Sequence, residues 1–298
     1  MRVLVTGGSG FIGSNLAFAL QQKGDDVIIT TVSNEQPVAG FSGKRIAVSF
    51  YDLDWSALGK VDCVFHEAAI NDTTLMDEQI MMRINVDAAR TLFEHAIANG
   101  CKRVVYASST AAYGDTPCPF KEDGPLHPLN PYGKSKQVMD VMAMDLAKKY
   151  PDVIIVGLRY CNVYGPGESH KGKRASMIYQ LAQQMKSGDP KVFKFGEHTR
   201  DFIYVADVVS ANLLAAQAKK SCVVNCGTGH PVSFNEIIAE LNTVLGTNRK
   251  PIYIENPYAS FYQATTRCDM TKAKALIGFV PQFDLKKGLQ AYKASGCL

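Results

Sequence analysis

RVLVTGGSGFIGSNLAFALQQKG, residues 2–24, opens the chain and decides its fold. The apolar run at 2–6 predicts a buried strand, and the apolar spacing over 11–23 predicts a helix that ends at Gly24. A strand followed by a glycine-rich turn and a helix is the first unit of a dinucleotide-binding fold. The stretch therefore predicts a ligand at the turn rather than a turn alone.

Three glycines of this turn have separate tasks. Gly7 permits the tight turn, Gly10 lets the backbone approach a pyrophosphate, and Gly13 lets the helix pack on the strand. Phe11 and Ile12 begin the helix, where free N–H groups and the positive end of the helix dipole attract phosphate. We expect these five residues to bind the cofactor.

The first half of the chain repeats the same alternation of strands and helices. Short β-rich runs separated by helical patterns predict parallel strands that are buried on both faces. The expected strands are 26–31, 45–50, 61–66, 103–107 and 153–159, and the expected helices are 77–99 and 132–149. The sequence thus predicts an α/β fold with a doubly wound parallel Rossmann sheet.

The second half has a looser pattern. Residues 165–174 are predicted to form a loop. Helices are expected at 177–186, 207–218, 234–245 and 285–291, and short strands at 191–195, 201–205 and 222–225. We predict a Rossmann domain over 1–165, joined by about 201–230, and a smaller C-terminal lobe over 166–298 that binds substrate mainly.

Composition excludes several classes of protein. Hydrophobic residues make up 46% of the chain and charged residues 20%, which is typical of a globular enzyme. The net charge of +4 is too small to indicate a nucleic-acid partner. No apolar run approaches the roughly 20 residues of a membrane span, and no signal peptide precedes Val3–Val5. We therefore expect a cytoplasmic protein without a membrane partner. A homo-oligomer is a separate expectation.

The eight cysteines are scattered along the chain and form no CxxC pair. They are interpreted as reduced thiols. Cys222 and Cys226 lie four positions apart, but no histidine or second pair completes a metal site. We expect no metal.

The end of the second strand bears on cofactor choice. NAD enzymes usually place an acid there to accept from the ribose 2′-hydroxyl, whereas this chain has Thr31. The missing acid removes repulsion against a 2′-phosphate and favours NADP over NAD. The alternative is that Thr31 bonds the hydroxyl with little preference. Asp52 is a candidate partner for the adenine amino group, or an ordinary turn residue.

Hydroxyl and amine side chains form a candidate catalytic set. Tyr132 and Lys136 lie four positions apart and hence on one helix face. A lysine charge near a phenol is expected to lower the phenol pKa, so that Tyr132 acts as a base. Ser109 ends a buried strand at the edge where such sheets bind ligands. Thr110 is the second choice, and Ser108 is taken as structural.

Further residues surround this edge. Glu67, Ala68 and Ala69 follow the fourth strand, where small side chains let a dinucleotide pass closely. Asn85 is expected to brace the active-site strands from the helix over 77–99 and to belong to the cofactor-binding residues. His66 is interpreted as a hydrogen-bonded strand-end residue rather than a base.

Together these motifs resemble the extended short-chain dehydrogenase/reductases of the sugar-nucleotide epimerase/dehydratase group. The resemblance runs from residue 3 to about 230. It rests on residues 6–13, 66–69, 108–109, 113–114, 131–136, 159–160, 162–166 and 200–208. It implies a nicotinamide cofactor, a nucleotide-diphosphate sugar as substrate, and Val163 at the cofactor.

Within the group the chain is most similar to the ADP-glycero-manno-heptose 6-epimerases, which serve lipopolysaccharide synthesis. This similarity rests on 162–172, 175–176, 106–114 and 262–266. It implies that Tyr132 and Lys171 are opposed acid/base groups and that Ser109 assists them. The residues that it places on the nucleotide sugar are Asn162, Gln180, Arg200 and Tyr262.

The sequence leaves several alternative roles and functions open. Lys171 could instead bind diphosphate from its loop. Thr31–Val32 and Lys173–Arg174 depart from the heptose pattern and leave cofactor and nucleotide choice open. A UDP-sugar 4-epimerase or 4-oxidase would use Ser109, Tyr132 and Lys136 without Lys171. A dehydratase lacks its acid pair here, and a non-catalytic dinucleotide sensor would not need Tyr132 or Lys136.

Overall fold

A computed structural model describes residues 1–32, 40–257 and 264–298. The strands are β1 Arg2–Thr6, β2 Asp26–Thr30, β3 Lys44–Ile46, β4 Cys63–His66, β5 Arg103–Ser109, β6 Ile154–Tyr160, β7 Asn162–Tyr164, β8 Lys191–Phe193, β9 Thr199–Arg200, β10 Phe202–Tyr204, β11 Cys222–Cys226, β12 Val232–Ser233 and β13 Ile252–Ile254. The helices are α1 Phe11–Gln22, α2 Trp55–Leu58, α3 Glu78–Met82, α4 Ala88–Ala98, α5 Pro131–Lys149, α6 Met177–Ser187, α7 Val205–Ala215, α8 Phe234–Leu245, α9 Thr271–Ile277 and α10 Leu285–Ala294.

Seven strands form one parallel sheet in the order β11-β6-β5-β4-β1-β2-β3. The order reverses at β1, so the crevice between β1 and β4 is the switch point where sheets of this kind bind ligands. The pairing places Thr6 opposite His66 and Ser109 opposite Tyr160. The two residues of each pair are therefore neighbours at the carboxyl edge of the sheet.

Helices cover both faces of the sheet, as the apolar strands require. On one face, Leu16 of α1 and Val208 of α7 belong to a core that also contains Ile277 of α9. On the other face, Leu92 of α4 and Met139 of α5 belong to a second core. The doubly wound Rossmann sheet predicted from the sequence is confirmed. Strand β11 and helices α7 and α9 complete it from the second half of the chain.

A third core lies in the C-terminal lobe. Leu181 of α6, Ile237 of α8 and Leu289 of α10 belong to this core together with Tyr164 and Phe202. Three two-stranded sheets surround these helices, pairing β10 with β7, β12 with β9 and β13 with β8. The strand pair β7–β10 joins the lobe to the carboxyl edge of the large sheet.

Several predicted elements differ from the structure. The strand expected at 45–50 is only Lys44–Ile46, and a 3-10 turn, Phe50–Asp52, follows it. The loop expected at 165–174 contains a 3-10 segment, Ser169–Arg174, interrupted at Gly172, where φ is +54°. The helix expected at 77–99 contains a π-helical turn, Arg83–Asp87. Helices α2 and α9 had no counterpart in the sequence prediction.

All eight cysteines are free thiols. Cys161, Asp201 and Cys268 lie close enough to hold a metal ion within the described part of the chain. Both oxygens of Asp201 already accept hydrogen bonds, one from Thr228 N at 2.8 Å and the other from Gly229 N at 2.9 Å. The carboxylate therefore acts as a structural acceptor. No helix in the described ranges is long and apolar enough to cross a membrane.

Candidate active site

A cavity of about 770 Å³ lies along the carboxyl edge of the sheet. We call it the main cavity. The loops and helix starts that follow β1, β2, β4, β5 and β6 form its walls. Its volume falls within the range that cofactors and substrates occupy. Most of the residues predicted to bind cofactor lie along it.

The glycine turn forms one end of the main cavity. A Cβ on Gly7, where φ is +66°, would lie 2.8 Å from Ala68 N, and a Cβ on Gly13 would lie 2.2 Å from Gly7 O. No larger residue fits either position. Gly10 is the N-cap of α1 and has no side chain to cap the helix. The first N–H groups of α1 therefore remain available for an anion in the cavity.

The end of β2 forms the neighbouring wall. The Thr31 hydroxyl is buried and lies 2.5 Å from Ser9 Oγ. The rest of this loop, residues 33–39, lies outside the described residues. Asp52 is exposed on its 3-10 turn and does not line the cavity, whereas Phe50 and Tyr51 of the same turn do. These two aromatic residues were not predicted as site residues. The predicted strand over 45–50 extended to Phe50, so the 3-10 turn that carries both residues was not expected.

Ser109, Tyr132 and Lys136 meet on the opposite wall. Helix α5 starts at Pro131, and the side chain of Asn130 caps it by accepting from Gly133 N at 2.8 Å. One turn later, Lys136 Nζ donates to Ala107 O at 2.7 Å and lies 5.8 Å from the Tyr132 ring centroid.

The electrostatics of this group differ from the prediction. Burial lowers the pKa of Lys136 to about 8. Burial also raises the pKa of Tyr132, outweighing the hydrogen bond with Ser109 that lowers it. The expectation that lysine lowers the phenol pKa is therefore wrong for the protein alone, because loss of solvent is the larger effect. The arrangement still places a hydroxyl, a phenol and an ammonium group together, which suits proton transfer to or from an alcohol.

A buried ion pair fixes α5 against the sheet. Arg159 Nε donates to Asp140 Oδ2 at 2.8 Å, Tyr106 OH donates to Asp140 Oδ1 at 3.0 Å, and Arg159 Nη1 donates to Tyr113 OH at 2.9 Å. Asp140 lies four positions after Lys136, one turn further along the helix. The sequence reasoning missed this network. Its signal was an acid on the apolar face of a helix and an arginine at the end of an apolar strand.

Asn85 braces the site as predicted. Its side chain accepts from Ile70 N at 2.9 Å and donates to Ile70 O at 2.9 Å. It also donates to Ser135 Oγ at 3.0 Å. The amide thus ties the loop after β4 to the helix that carries Tyr132. It is buried at 1% exposure and does not line the main cavity, so the structure gives Asn85 a bracing contact and not the cofactor contact that was also expected.

The end of β4 contributes a carboxyl group to the main cavity. Glu67, Ala68 and Ala69 line it, and Glu67 Oε1 accepts from Tyr160 OH at 2.9 Å. Burial raises the pKa of Glu67 to about 7. The preceding His66 is buried, and its Nδ1 lies 2.8 Å from Thr6 Oγ1. His66 is thus a hydrogen-bonded strand-end residue, as interpreted from the sequence.

Lys171 reaches the main cavity from the C-terminal lobe. Its Nζ lies 5.4 Å from the ring centroid of Phe11, and the side chain is half-buried. Burial lowers the pKa of Lys171, Glu168 opposes this, and the nearby charge of Arg174 adds to it. A lysine needs such a lowered pKa to act as an acid/base group near neutral pH. Burial is the larger cause, and the second cation is Arg174.

Glu168 holds the turn that carries Lys171. It is fully buried and accepts from Gly165 N at 3.0 Å, from Ser176 Oγ at 3.0 Å and from Tyr292 OH at 3.2 Å. These bonds connect the start and the end of the turn to α10. The position of Lys171 therefore depends strongly on this carboxyl group, while Gln180 supports the end of the same turn by donating to Ala175 O.

A second cavity of about 520 Å³, the side cavity, adjoins the main one. Val163, Lys171 and Arg174 line both. Asn162 and Arg200 line the side cavity, and Arg200 Nη1 donates to Thr199 O at 2.8 Å. The remaining predicted substrate residues lie elsewhere. Gln180 donates to Ala175 O at 2.7 Å and lines neither cavity, and Tyr262 lies outside the described residues.

A family model described as the NAD dependent epimerase/dehydratase family matches residues 3–227. The chain belongs to this family. The match covers the Rossmann sheet through β11 and includes the glycine turn, Ser109, Tyr132 and Lys136. The resemblance stated from the motifs is thereby confirmed, and the protein is an NAD(P)-dependent sugar-nucleotide epimerase.

Solved epimerase structures are similar over the whole chain. Helicobacter pylori ADP-L-glycero-D-manno-heptose-6-epimerase is 36% identical with a TM-score of 0.89, over 99% of this chain and 96% of that one. Thermotoga maritima UDP-glucose 4-epimerase is 29% identical with a TM-score of 0.89, over 99% of each chain. Bacillus cereus UDP-glucuronic acid 4-epimerase, with UDP-glucuronic acid and NAD, is 27% identical with a TM-score of 0.84, over 99% and 98%.

The main cavity of this epimerase fits a nicotinamide dinucleotide. The uncapped start of α1 suits its pyrophosphate. The buried Ser108 hydroxyl lines the cavity and has no hydrogen-bond partner among the described residues, so it is available to a ligand. When bound, the nicotinamide accepts a hydride from the substrate and returns it. Residues of β1, β4, β5 and α5 would hold it.

Proposed function

We propose that this epimerase acts on ADP-glycero-manno-heptose at C6, with Tyr132 and Lys171 as opposed acid/base groups. The observation that supports this most is the place of Lys171. It is a half-buried amine with a lowered pKa, and it borders both cavities from the lobe that faces the Rossmann domain. A second proton-transfer group opposite Tyr132 suits a reaction that exposes both faces of one carbon.

The two groups serve opposite configurations of the C6 hydroxyl. Tyr132, hydrogen-bonded to Ser109, would take the hydroxyl proton from one epimer as a tyrosinate, once the positive charges of Lys136 and of a bound oxidised nicotinamide offset the effect of burial on its pKa. The resulting ketone turns within the cavity and receives the hydride on its other face. Lys171 then supplies the proton that completes the second epimer. Lys136 stays charged below pH about 8 and orients the site.

The side cavity is the proposed place of the nucleotide. Arg200, Arg174 and Lys171 bring positive charge to its walls, which suits a diphosphate. Asn162 adds an amide at the border with the main cavity. Tyr262 stays a prediction for substrate contact, whereas Gln180 lines neither cavity.

The finer cofactor proposal is a preference for NADP over NAD. It rests on Thr31, where the usual ribose-binding acid is missing. The charges that remain near the main cavity are mostly positive, which suits an additional phosphate. The homo-oligomer also stays a prediction.

The deciding experiment follows the configuration at C6. The purified enzyme is incubated with ADP-D-glycero-manno-heptose, and the sugar is examined by NMR over time. We expect an equilibrium mixture of the two C6 epimers without net reduction of cofactor. Absence of C6 inversion would contradict the proposal.

A second candidate function is supported by the similar 4-epimerase structures. A UDP-sugar 4-epimerase would need Ser109, Tyr132 and Lys136 but not Lys171. Parallel incubations with UDP-glucose and UDP-glucuronic acid test it. Inversion at C4 of either sugar, with none at C6 of the heptose, would establish this function instead.

A further inference from the structure

Glu67 is the one acidic residue among the described residues that line the main cavity. Four cationic side chains line the same space, whereas the hydrogen bond that Glu67 accepts comes from the Tyr160 hydroxyl. The four cationic residues are Arg83, Lys136, Lys171 and Arg174. A cavity with this charge would disfavour a cationic ligand, because like charges repel strongly where water is excluded. The single carboxyl group therefore has a large effect on which charge the cavity accepts.

Hydrogen bonds fix the carboxyl group in place. Tyr160 OH donates to Glu67 Oε1 at 2.9 Å, and Asn212 Nδ2 donates to Tyr160 OH at 2.8 Å. Asn212 is fully buried and also donates to Val208 O at 2.9 Å within α7. The chain of bonds runs from the cavity into the core. Glu67 is therefore preorganised rather than free to turn towards solvent.

Its place in the sheet puts Glu67 at the reactive end of the main cavity. It follows His66 of β4, which pairs with Tyr106 of β5, one residue before the carbonyl of Ala107 that holds Lys136. Tyr160, its hydrogen-bond donor, pairs with Ser109. The carboxyl group thus lies beside Ser109 and Lys136, which are proposed to face the reacting carbon and the nicotinamide ring.

We propose that Glu67 is the counter-charge for the oxidised nicotinamide and stabilises it against the reduced form. The oxidised ring is a cation and the reduced ring is neutral, so a fixed carboxylate favours the oxidised state. An epimerase must return each hydride to its substrate, and a bias towards the oxidised cofactor favours that return. The inference depends on the family's use of NAD and not on the identity of the sugar.

The groups around Glu67 set its response to pH. Lys136 of α5 lowers its pKa, the Tyr160 hydrogen bond also lowers it, and burial raises it to about 7. Tyr132 and Cys226 face it as neutral groups whose pKa values are raised. The buried His66 has its pKa lowered to about 3 and is also neutral. At neutral pH the carboxyl group is therefore partly protonated, and a bound cation would release that proton.

The test is a calorimetric titration of the full chain with NAD⁺ and with NADH at pH 7. Each titration is repeated in two buffers with different heats of ionisation, which gives the number of protons released. Wild type is expected to release about half a proton more with NAD⁺ than with NADH, because a group with a pKa of about 7 is half protonated there. Glu67→Gln keeps an acceptor for Tyr160 and is expected to abolish this difference.

The same titrations give the affinities. The preference for NAD⁺ over NADH is expected to fall about tenfold in Glu67→Gln. A carboxylate and a cation that stabilise each other by the equivalent of one pKa unit change an affinity by this factor. Tyr160→Phe removes a bond that lowers the pKa of Glu67 and is expected to increase the proton release. This second variant keeps the proposal testable if Glu67→Gln folds poorly, which thermal unfolding would reveal.

Glu122→Gln is the matched control. Glu122 is another half-buried carboxyl group with a pKa raised by burial. It accepts from Asn225 N at 2.8 Å and does not line the main cavity. This variant is expected to match wild type in both measurements. Equal proton release by Glu67→Gln and wild type, or an unchanged affinity ratio, would overturn the proposal.

Discussion

Lys136 and Lys171 reach the same cavity from opposite halves of the molecule. Burial lowers the pKa of both amines. Lys136 is a helical residue, fully buried and bonded to Ala107 O. Lys171 is half-buried on a 3-10 turn beside Phe11 and Arg174. Two lysines with similar chemistry thus differ in how firmly the fold holds them.

The supports behind the two lysines explain the difference. The helix of Lys136 is anchored by the Asp140–Arg159 ion pair inside the Rossmann core. The turn of Lys171 is held by hydrogen bonds to Glu168 and Gln180, at the junction with the lobe. A rigid site suits the proposed removal of hydride and proton from a carbinol. A turn on the lobe is where substrate choice can change without disturbing that step.

We call the Rossmann wall that carries Tyr132 and Lys136 the rigid side of the cavity. The largest expected effect is on this side. Tyr132→Phe removes the phenol hydroxyl and is expected to reduce kcat by about 10²-fold or more, as loss of a general base does. The loss should appear with any accepted sugar nucleotide, because the proton transfer at Tyr132 does not depend on the base or the sugar. Steady-state kinetics measures it.

Tyr150→Phe is the control, since Tyr150 ends the same helix away from the cavity. It should leave kcat within a factor of about 2, since a substitution that leaves the site untouched usually changes free energies by about 0.5 kcal/mol or less. Near-normal turnover by Tyr132→Phe would contradict the base assignment.

The next largest effect concerns the other side of the cavity, where the turn of Lys171 lies. Lys171→Met is expected to reduce epimerisation by about 10²-fold, since one of two acid/base groups is missing. Oxidation of the epimer that Tyr132 serves should continue at nearly the wild-type rate. Single-turnover absorbance of the reduced nicotinamide follows that half-reaction separately from NMR of the product.

Lys173→Met is matched to this variant, because Lys173 lies in the same turn and is exposed. It should behave as wild type. If Lys171→Met instead raises KM and leaves kcat unchanged, Lys171 binds diphosphate, as the alternative interpretation holds.

Stability should divide the two sides in the same way. Asp140→Asn leaves Arg159 buried without its partner and is expected to lower the free energy of unfolding by about 3–5 kcal/mol. Glu168→Gln breaks hydrogen bonds only around the Lys171 turn and is expected to cost about 1–3 kcal/mol. Denaturant unfolding measures both. An equal loss in the two variants would contradict the comparison.

Much of the rigid side could be predicted because its signals are local. The glycine turn, the Tyr132–Lys136 spacing and the apolar strands each depend on residues that are close in sequence. The parallel sheet and the catalytic wall follow from these signals directly. The role of Asn85 as a brace could also be predicted, because a lone amide on an apolar helix face requires a partner.

The remainder depends on contacts between residues far apart in sequence. The raised pKa of Tyr132 follows from burial, which spacing alone does not reveal. Glu67 gains its environment from Tyr160 and Asn212, 93 and 145 positions further along the chain. Glu168 holds the Lys171 turn by hydrogen bonds. Ile277 packs α9 against the core of the Rossmann sheet. Such long-range pairings have no local pattern.

The smallest expected effect concerns cofactor choice at the edge of the rigid side. With Thr31 in place of an acid, NADP should bind more tightly than NAD by severalfold, since an exposed charge contact contributes about 1 kcal/mol or less. Fluorescence titration of the cofactor-free full chain measures both affinities, and mass spectrometry identifies the dinucleotide released from the purified enzyme. Tighter binding of NAD would make the preference wrong. The hydroxyl pair of Thr31 and Ser9, 2.5 Å apart, would then be the ribose partner, and this edge would tolerate the loss of an acid without changing cofactor.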